Sequence, residues 1–176
     1  MKVANITTCD INNGPGIRTT IWVSGCNHKC PSCHNPELQN YDFGKHKLLS
    51  QEIFDTVSKE LNKDYIDGIT FSGGDPLDQN HRSLRELRTF LYYIKKHWPN
   101  KNIWIYTGGT YEILDKITII NQLFEYVDVL VDGLFILEKR DITLPFRGSS
   151  NQRIIDIQNS RKQNKTIILE DNLFNL

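Results

Sequence analysis

Three cysteines, Cys26, Cys30 and Cys33, crowd into the run Cys26-Asn27-His28-Lys29-Cys30-Pro31-Ser32-Cys33. Thiolates spaced by three and then two residues can hold three corners of an iron-sulfur cube, which leaves one iron without a protein ligand. That iron is open to chemistry, whereas a cluster used only for electron transfer is normally closed by four cysteines. Zinc is the competing reading: structural zinc also favours short cysteine pairs, and His28 or His34 would complete such a site. The fourth cysteine, Cys9, stands apart, and reads either as a small buried hydrophobe or as a fourth cluster ligand.

A second group able to meet a ligand is Ser72-Gly73-Gly74-Asp75-Pro76. Gly73 and Gly74 let backbone approach a ligand closely, and Asp75 can accept from a cationic group. Alone, the same turn is equally a tight strand-to-helix connection.

The elements that must position these groups follow from periodicity. Lys2 to Thr8 reads as extended, and Asp10 to Gly16 as a turn-rich loop. Arg18 to Ser24 is β-branched and aromatic, a core strand with the cysteines just beyond its C-terminal end. Ser50 is placed to cap a helix carrying Ile53, Phe54, Val57 and Leu61 on one face, and Gly68 to Phe71 follows as a buried strand. His81 to Trp98 is the longest helix, with Leu84, Leu87, Leu91 and Ile94 as its core stripe and Arg82, Arg85 and Arg88 on a solvated face. Further strands are expected at Asn102 to Tyr106, Val127 to Val131 and Arg153 to Ile157, with Thr166 to Leu169 as a possible sixth. Asn159 to Lys165 is polar, and Glu170 to Leu176 is expected to fray.

Alternation of strand and helix argues for a mainly parallel α/β sheet, in which consecutive strand ends share one face. A complete eight-unit barrel needs about 250 residues, whereas this chain has 176. The expected architecture is therefore an open, partial (β/α) barrel of about five or six strands, in one domain spanning 1–176.

Composition narrows the classes of function. Hydrophobic residues are 39% and charged residues 24%, and 21 Lys and Arg balance 21 Asp and Glu. No global field draws the chain to nucleic acid or to an anionic membrane, and no apolar run approaches the length of a span. Clustered cysteines fit a reducing compartment and metal binding better than a disulfide framework, so a cytoplasmic location is expected.

Taken together, the motifs resemble the radical S-adenosylmethionine (SAM) superfamily, in which a Cys-x3-Cys-x2-Cys loop is followed by a Gly-Gly-acid turn. Gly14-Pro15-Gly16-Ile17-Arg18 and Cys33-His34-Asn35 are similar to the activating enzymes of glycyl-radical enzymes. Ser72 to Leu77, Val131-Asp132-Gly133 and Arg147-Gly148-Ser149-Ser150-Asn151-Gln152-Arg153-Ile154 resemble the activators of anaerobic ribonucleoside-triphosphate reductase. The likeness covers about residues 13 to 157, with 158–176 as an extension.

The resemblance implies a 4Fe-4S cluster on Cys26, Cys30 and Cys33, with the amino and carboxylate groups of SAM on its open iron. One electron from the cluster would cleave SAM, and the 5'-deoxyadenosyl radical would take hydrogen from a glycine of the reductase. It further implies SAM contacts at Ser32, Cys33, His34, Gly73, Gly74 and Asp75, and a low-potential electron donor such as flavodoxin or ferredoxin. In this chain Ser32 stands where many members have an aromatic residue before the third cysteine, and Asn13 stands where the glycine-rich loop is usually preceded by Asp. For Arg147 to Arg153 two readings stand side by side: a polar loop with Gly148 as its turn and Asn151 as a cap, or a loop beside the SAM site or at the partner interface. Three functions remain to be separated: an activator of this reductase or of another glycyl-radical enzyme such as pyruvate formate-lyase, a ferredoxin-like carrier closed by Cys9, and a zinc-stabilised binding module.

Overall fold

The computed structural model describes residues 1–174. Seven strands form one mixed sheet: β1 (Lys2–Asp10), β2 (Arg18–Val23), β3 (His46–Lys47), β4 (Gly68–Gly73), β5 (Asn102–Tyr106), β6 (Val129–Asp132) and β7 (Arg153–Asp156), in the order β3-β1-β2-β4-β5-β6-β7. The four middle strands β2, β4, β5 and β6 are parallel, joined through α1 (Gln51–Leu61), α2 (His81–His97) and the short pair α3 (Tyr111–Leu114) and α4 (Thr118–Leu123). Antiparallel strands flank them, β1 and β3 on one side and β7 on the other. The expected α/β class holds, but the sheet is mixed and has seven strands. The two-residue β3 is too short for a periodic signal, and Thr166 to Leu169 contributes a bridge between Ile168 and Ile155 in place of a strand. A short helix, α5 (Ile157–Gln163), and a 3-10 turn at Asp171–Phe174 follow. Residues 175–176, the end of the stretch expected to fray, lie outside the described residues.

The two faces of the sheet differ because side chains alternate along each strand. Ile21, Val23, Ile69, Phe71, Ile103, Ile105 and Leu130 point to one face and form a single core with the apolar stripes of α1, α2 and α4. In α2, Leu87, Phe90, Leu91 and Ile94 are completely buried, each worth about 1.5–3 kcal/mol of transfer free energy as an upper estimate. Asn80 caps that helix by accepting from the Ser83 amide, and Trp98 ends it. Ser50 occupies the cap position of α1, but its hydroxyl makes no hydrogen bond. On the polar side of α2, Arg82 and Arg85 are exposed and Arg88 lies over the Tyr126 ring, in keeping with a solvated face.

The opposite face is part apolar, with Trp104, Val129, Val131 and Ile154, and part polar, with a fully buried Arg18. Arg18 donates to Thr70 Oγ1 at 2.7 Å, to Ile69 C=O at 3.0 Å and to Pro15 C=O at 3.3 Å. Burial pushes its guanidinium down to about 10. Thr70 passes the connection on by donating to Asn13 C=O, so the motif from Gly14 to Arg18 fastens its own loop to the sheet. Gly14, at φ 130, has room for no Cβ, because one would lie 2.8 Å from Arg18 Nε.

Arg153 ties β7 to β6 and α3. Its Nε donates to Asp132 Oδ1 at 2.9 Å, and its Nη1 and Nη2 donate to the two carboxylate oxygens of Glu112 at 2.9 and 2.8 Å. Asp132 is buried and, among the described residues, otherwise receives only the Tyr111 amide. Removing one partner of a buried pair strands the other charge, so Arg153→Met is expected to lower the unfolding free energy by about 3–5 kcal/mol in a guanidinium titration. A loss under about 1 kcal/mol would show that Asp132 does not depend on Arg153. The same guanidinium pushes the Glu112 carboxyl down to about 2. A carboxyl lowered from about 4.3 stabilises fully above that value and loses its contribution as pH falls through the folded one. Glu112 is 49% exposed, so native chain and Glu112→Gln should differ by under about 1 kcal/mol at neutral pH. Denaturant titrations at stepped pH should show that difference shrinking between about pH 4.3 and pH 2.

Candidate functional site

The cysteine loop leaves the C-terminal end of β2 and returns through a 3-10 turn at Pro36–Gln39. Its base is closed by Gly25 N–H to Leu38 C=O at 2.8 Å and Cys26 N–H to Gln39 C=O at 3.1 Å. Gly25 sits at φ 105, and a Cβ there would come within 2.1 Å of the Tyr41 ring. Cys33 N–H turns back to Cys30 C=O at 3.2 Å. Cys26, Cys30 and Cys33 all border one cavity of about 690 Å³. Cys9 does not border it; it is exposed on β1, at φ 54 where the pairing with β2 slips register. It is therefore not the buried hydrophobe expected, and the carrier reading has lost its fourth ligand.

Asp75 is the centre of the site. Its carboxylate is 1% exposed and fully engaged. Oδ1 accepts from the amides of Leu77 and Asp78 at 2.8 and 3.1 Å. Oδ2 accepts from Thr107 Oγ1 at 2.9 Å and Gly108 N–H at 2.8 Å, both just beyond β5, and lies 2.9 Å from His28 Nε2 in the cysteine loop. That contact holds the His28 imidazole above its ordinary range. The expectation that Asp75 is free to receive a ligand's cationic group thus meets a carboxylate already committed to three elements of the chain.

Gly73 and Gly74 line the cavity, but their lack of a side chain serves the chain itself. A Cβ on Gly74 would lie 2.5 Å from Gly25 O and 2.7 Å from Leu38 O, and one on Gly73 would lie 2.6 Å from Val23 O. The turn is glycine because the base of the cysteine loop packs directly on it. His34 lines the cavity with its ring 6.3 Å from Phe135, whereas Ser32 is exposed and outside the lining.

The remaining wall was the least legible in the sequence. Gln152 accepts from the amides of Gly148 and Ser149 at 2.9 and 3.1 Å and donates to Gly133 C=O at 3.0 Å, clamping two segments beside the cavity. Gly148 is not the turn residue expected; Phe146 takes the left-handed angle, and Gly148 leaves room for the Phe135 ring. Asn151 donates to Leu134 C=O. Arg147, Gly148 and Gln152 border the cavity while Arg153 is an ion-pair anchor, so the motif is in part structural and in part a wall of the site. Gly108 and Asp78 also escaped sequence reasoning. Gly108 could have been found, since Thr107-Gly108 follows a parallel strand as Gly73-Gly74 does and ligands gather at such ends.

The donors decide which metal fits. Burial, aided by the charges of Asp75 and Asp78, pushes the Cys26 thiol up to about 11, and burial raises Cys30. The thiolates therefore need a bound cation, and three of them around one cavity suit a cluster, whose irons take separate ligands. Among the described residues, one group converges as the ligands of a single ion would: Cys26, His28 and Asp78, with ligand atoms within 4.8 Å of one another. A zinc ion there would leave Cys30 and Cys33 outside, and Asp78 already accepts from Asn27 N–H at 2.5 Å.

Comparison with known proteins shows the family. A family described as a 4Fe-4S single cluster domain matches residues 12–155. The anaerobic ribonucleoside-triphosphate reductase-activating protein of Enterobacteria phage T4 is 35% identical over 158 residues, 88% of this chain and 93% of the relative. The protein of that description from Vibrio cholerae is 40% identical over 147 residues, 82% and 91% of the two chains, and that from Escherichia coli (strain K12) is 37% identical over 145 residues, 81% and 90%. With its three cysteines on one cavity and this likeness along most of its length, the chain belongs to the family of anaerobic ribonucleoside-triphosphate reductase-activating proteins, built on a 4Fe-4S single cluster domain.

Proposed function

We propose that this chain activates an anaerobic ribonucleoside-triphosphate reductase as a radical SAM enzyme, with Cys26, Cys30 and Cys33 holding a 4Fe-4S cluster. The observation that carries the reading is the meeting of the three cysteines and the Gly73-Gly74 turn on one cavity, with Cys9 outside it. When bound, the cluster supplies the electron that cleaves SAM to methionine and the 5'-deoxyadenosyl radical, which removes hydrogen from a glycine of the reductase. Cys33, His34 and the backbone at Gly73 and Gly74 border the space for SAM. Asp75 acts through the groups it holds in place. Ser32, on the outer side of the loop, would reach adenine only through its backbone.

The succession β2-β4-β5-β6, with the cavity at its C-terminal ends, supports a partial barrel in a single domain with its core at about 13–157. A wide mouth suits a peptide loop that brings its own cover, so the reductase completes the site. The chain's part is to hold the reacting groups in register and keep water away. No helix among the described residues is long and apolar enough to cross a membrane. A low-potential donor such as flavodoxin or ferredoxin would reduce the cluster, and the reaction would take place in the cytoplasm.

Replacing Cys26, Cys30 or Cys33 by Ala is expected to abolish SAM cleavage and lower iron content in each case, whereas Cys9→Ala keeps both. Iron and sulfide analysis beside a methionine-release assay checks this, and loss of the cluster in Cys9→Ala would refute the ligand assignment. The target is checked separately. Reduced chain, SAM and the reductase mixed without oxygen should give a glycyl radical doublet in the electron paramagnetic resonance spectrum, absent when the reductase's radical glycine is made alanine. Appearance of the radical on pyruvate formate-lyase alone would keep the chemistry and overturn the partner.

A further inference from the structure

We infer that His28 is a positioning residue: its hydrogen bond to Asp75 latches the cysteine loop onto the ends of β4 and β5 and so sets where the cluster sits. The inference rests on the cluster-binding reading above. From Asn27 to Cys33 the loop has little backbone bonding of its own, the Cys33 to Cys30 turn apart. Lys29 and Ser32 hold left-handed angles, φ 50 and 56, which non-glycine residues keep only where their surroundings enforce them. Side chains supply that enforcement. Asp78 Oδ2 takes the Asn27 amide at 2.5 Å, and Asp75 Oδ2 takes His28 Nε2 at 2.9 Å. Two successive residues between the first and second cysteines are thus tied to one short segment after β4.

The chemistry of the bond fixes its direction. An ionised carboxylate only accepts, so Nε2 carries the hydrogen and donates. The same oxygen receives Thr107 Oγ1 and Gly108 N–H, so a single atom joins the cysteine loop, the Gly-Gly-Asp turn and the end of β5. Gly108 also makes room for the imidazole, since a Cβ there would lie 2.6 Å from His28 Cδ2. The His28 side chain is 27% exposed and Asp75 is 1% exposed, which places the latch at the cavity wall with its acceptor sheltered from water. His28 therefore acts through the loop it orients, as an outer partner of metal ligands does.

The test uses the full chain loaded with its cluster under anaerobic conditions, and reads iron release to a coloured chelator. His28→Ala is expected to release iron about 10- to 100-fold faster than the native chain. His28→Gln, whose amide N–H reaches toward the position of Nε2, should stay within about threefold of native, because the charge-assisted bond is rebuilt. The reduced cluster of His28→Gln should give the native electron paramagnetic resonance signal in the absence of SAM. Native-like release from His28→Ala, or release from His28→Gln as fast as from His28→Ala, would overturn the latch. An altered signal in His28→Gln without SAM would make His28 an iron ligand and overturn it as well. If the native chain took up no iron and sulfide, the cluster reading would fall and the latch with it; a loaded native chain with an indifferent His28→Ala would sink the latch alone.

Discussion

The site depends on one buried carboxylate. Asp75 faces five donors drawn from its own turn, the cysteine loop and the end of β5. A carboxylate taken out of water is tolerated only when its lone pairs are satisfied, so the demand runs both ways. The charge needs the three elements, and the elements are brought into register by the charge. An acid at this place is therefore explained by the chain's own construction before any ligand is considered.

Two further buried charges repeat the device elsewhere in the sheet, Arg18 on the face opposite the helices and Asp132 on the helix-facing side with Leu130. Arg18 satisfies its guanidinium with backbone carbonyls, Thr70 and the face of Trp104, and in doing so anchors the loop that leads to Asn12 and Asn13 at the cavity. Asp132 is met by Arg153, which pins β7 and the connection before it. The helix-facing side of the sheet is apolar and supplies the bulk of the stabilisation. The cavity side gives up apolar burial for polar anchors, and that leaves a rigid wall able to hold ligands in place.

Glycine carries a related lesson. Gly73, Gly74 and Gly108 line the cavity and Gly25 sits at the base of the cysteine loop, and at each an added Cβ would strike the chain itself, whether the Tyr41 ring, the backbone of Val23, Gly25 or Leu38, or the His28 imidazole. The close approach that glycine permits is between the cysteine loop and the strand ends. A ligand placed there inherits a surface already shaped by this packing.

Spacing and periodicity determined much of this protein by themselves. The 3-and-2 interval of the cysteines is a local property of the chain, as are the apolar stripe of α2 and the β-branched run of β2, and the structure keeps all three. Local pattern could not decide what lies across space. Whether Cys9 joins the other cysteines, which carbonyls a glycine faces, and whether Asp75 is open or spent depend on pairings between residues 32 to 52 positions apart, such as Thr107 with Asp75, His28 with Asp75 and Arg18 with Thr70. Short β3 and the antiparallel turn of β7 escaped for the same reason: a strand's direction and partner are settled by the sheet it joins, and only the folded chain, where buried charges must find their donors, selects them.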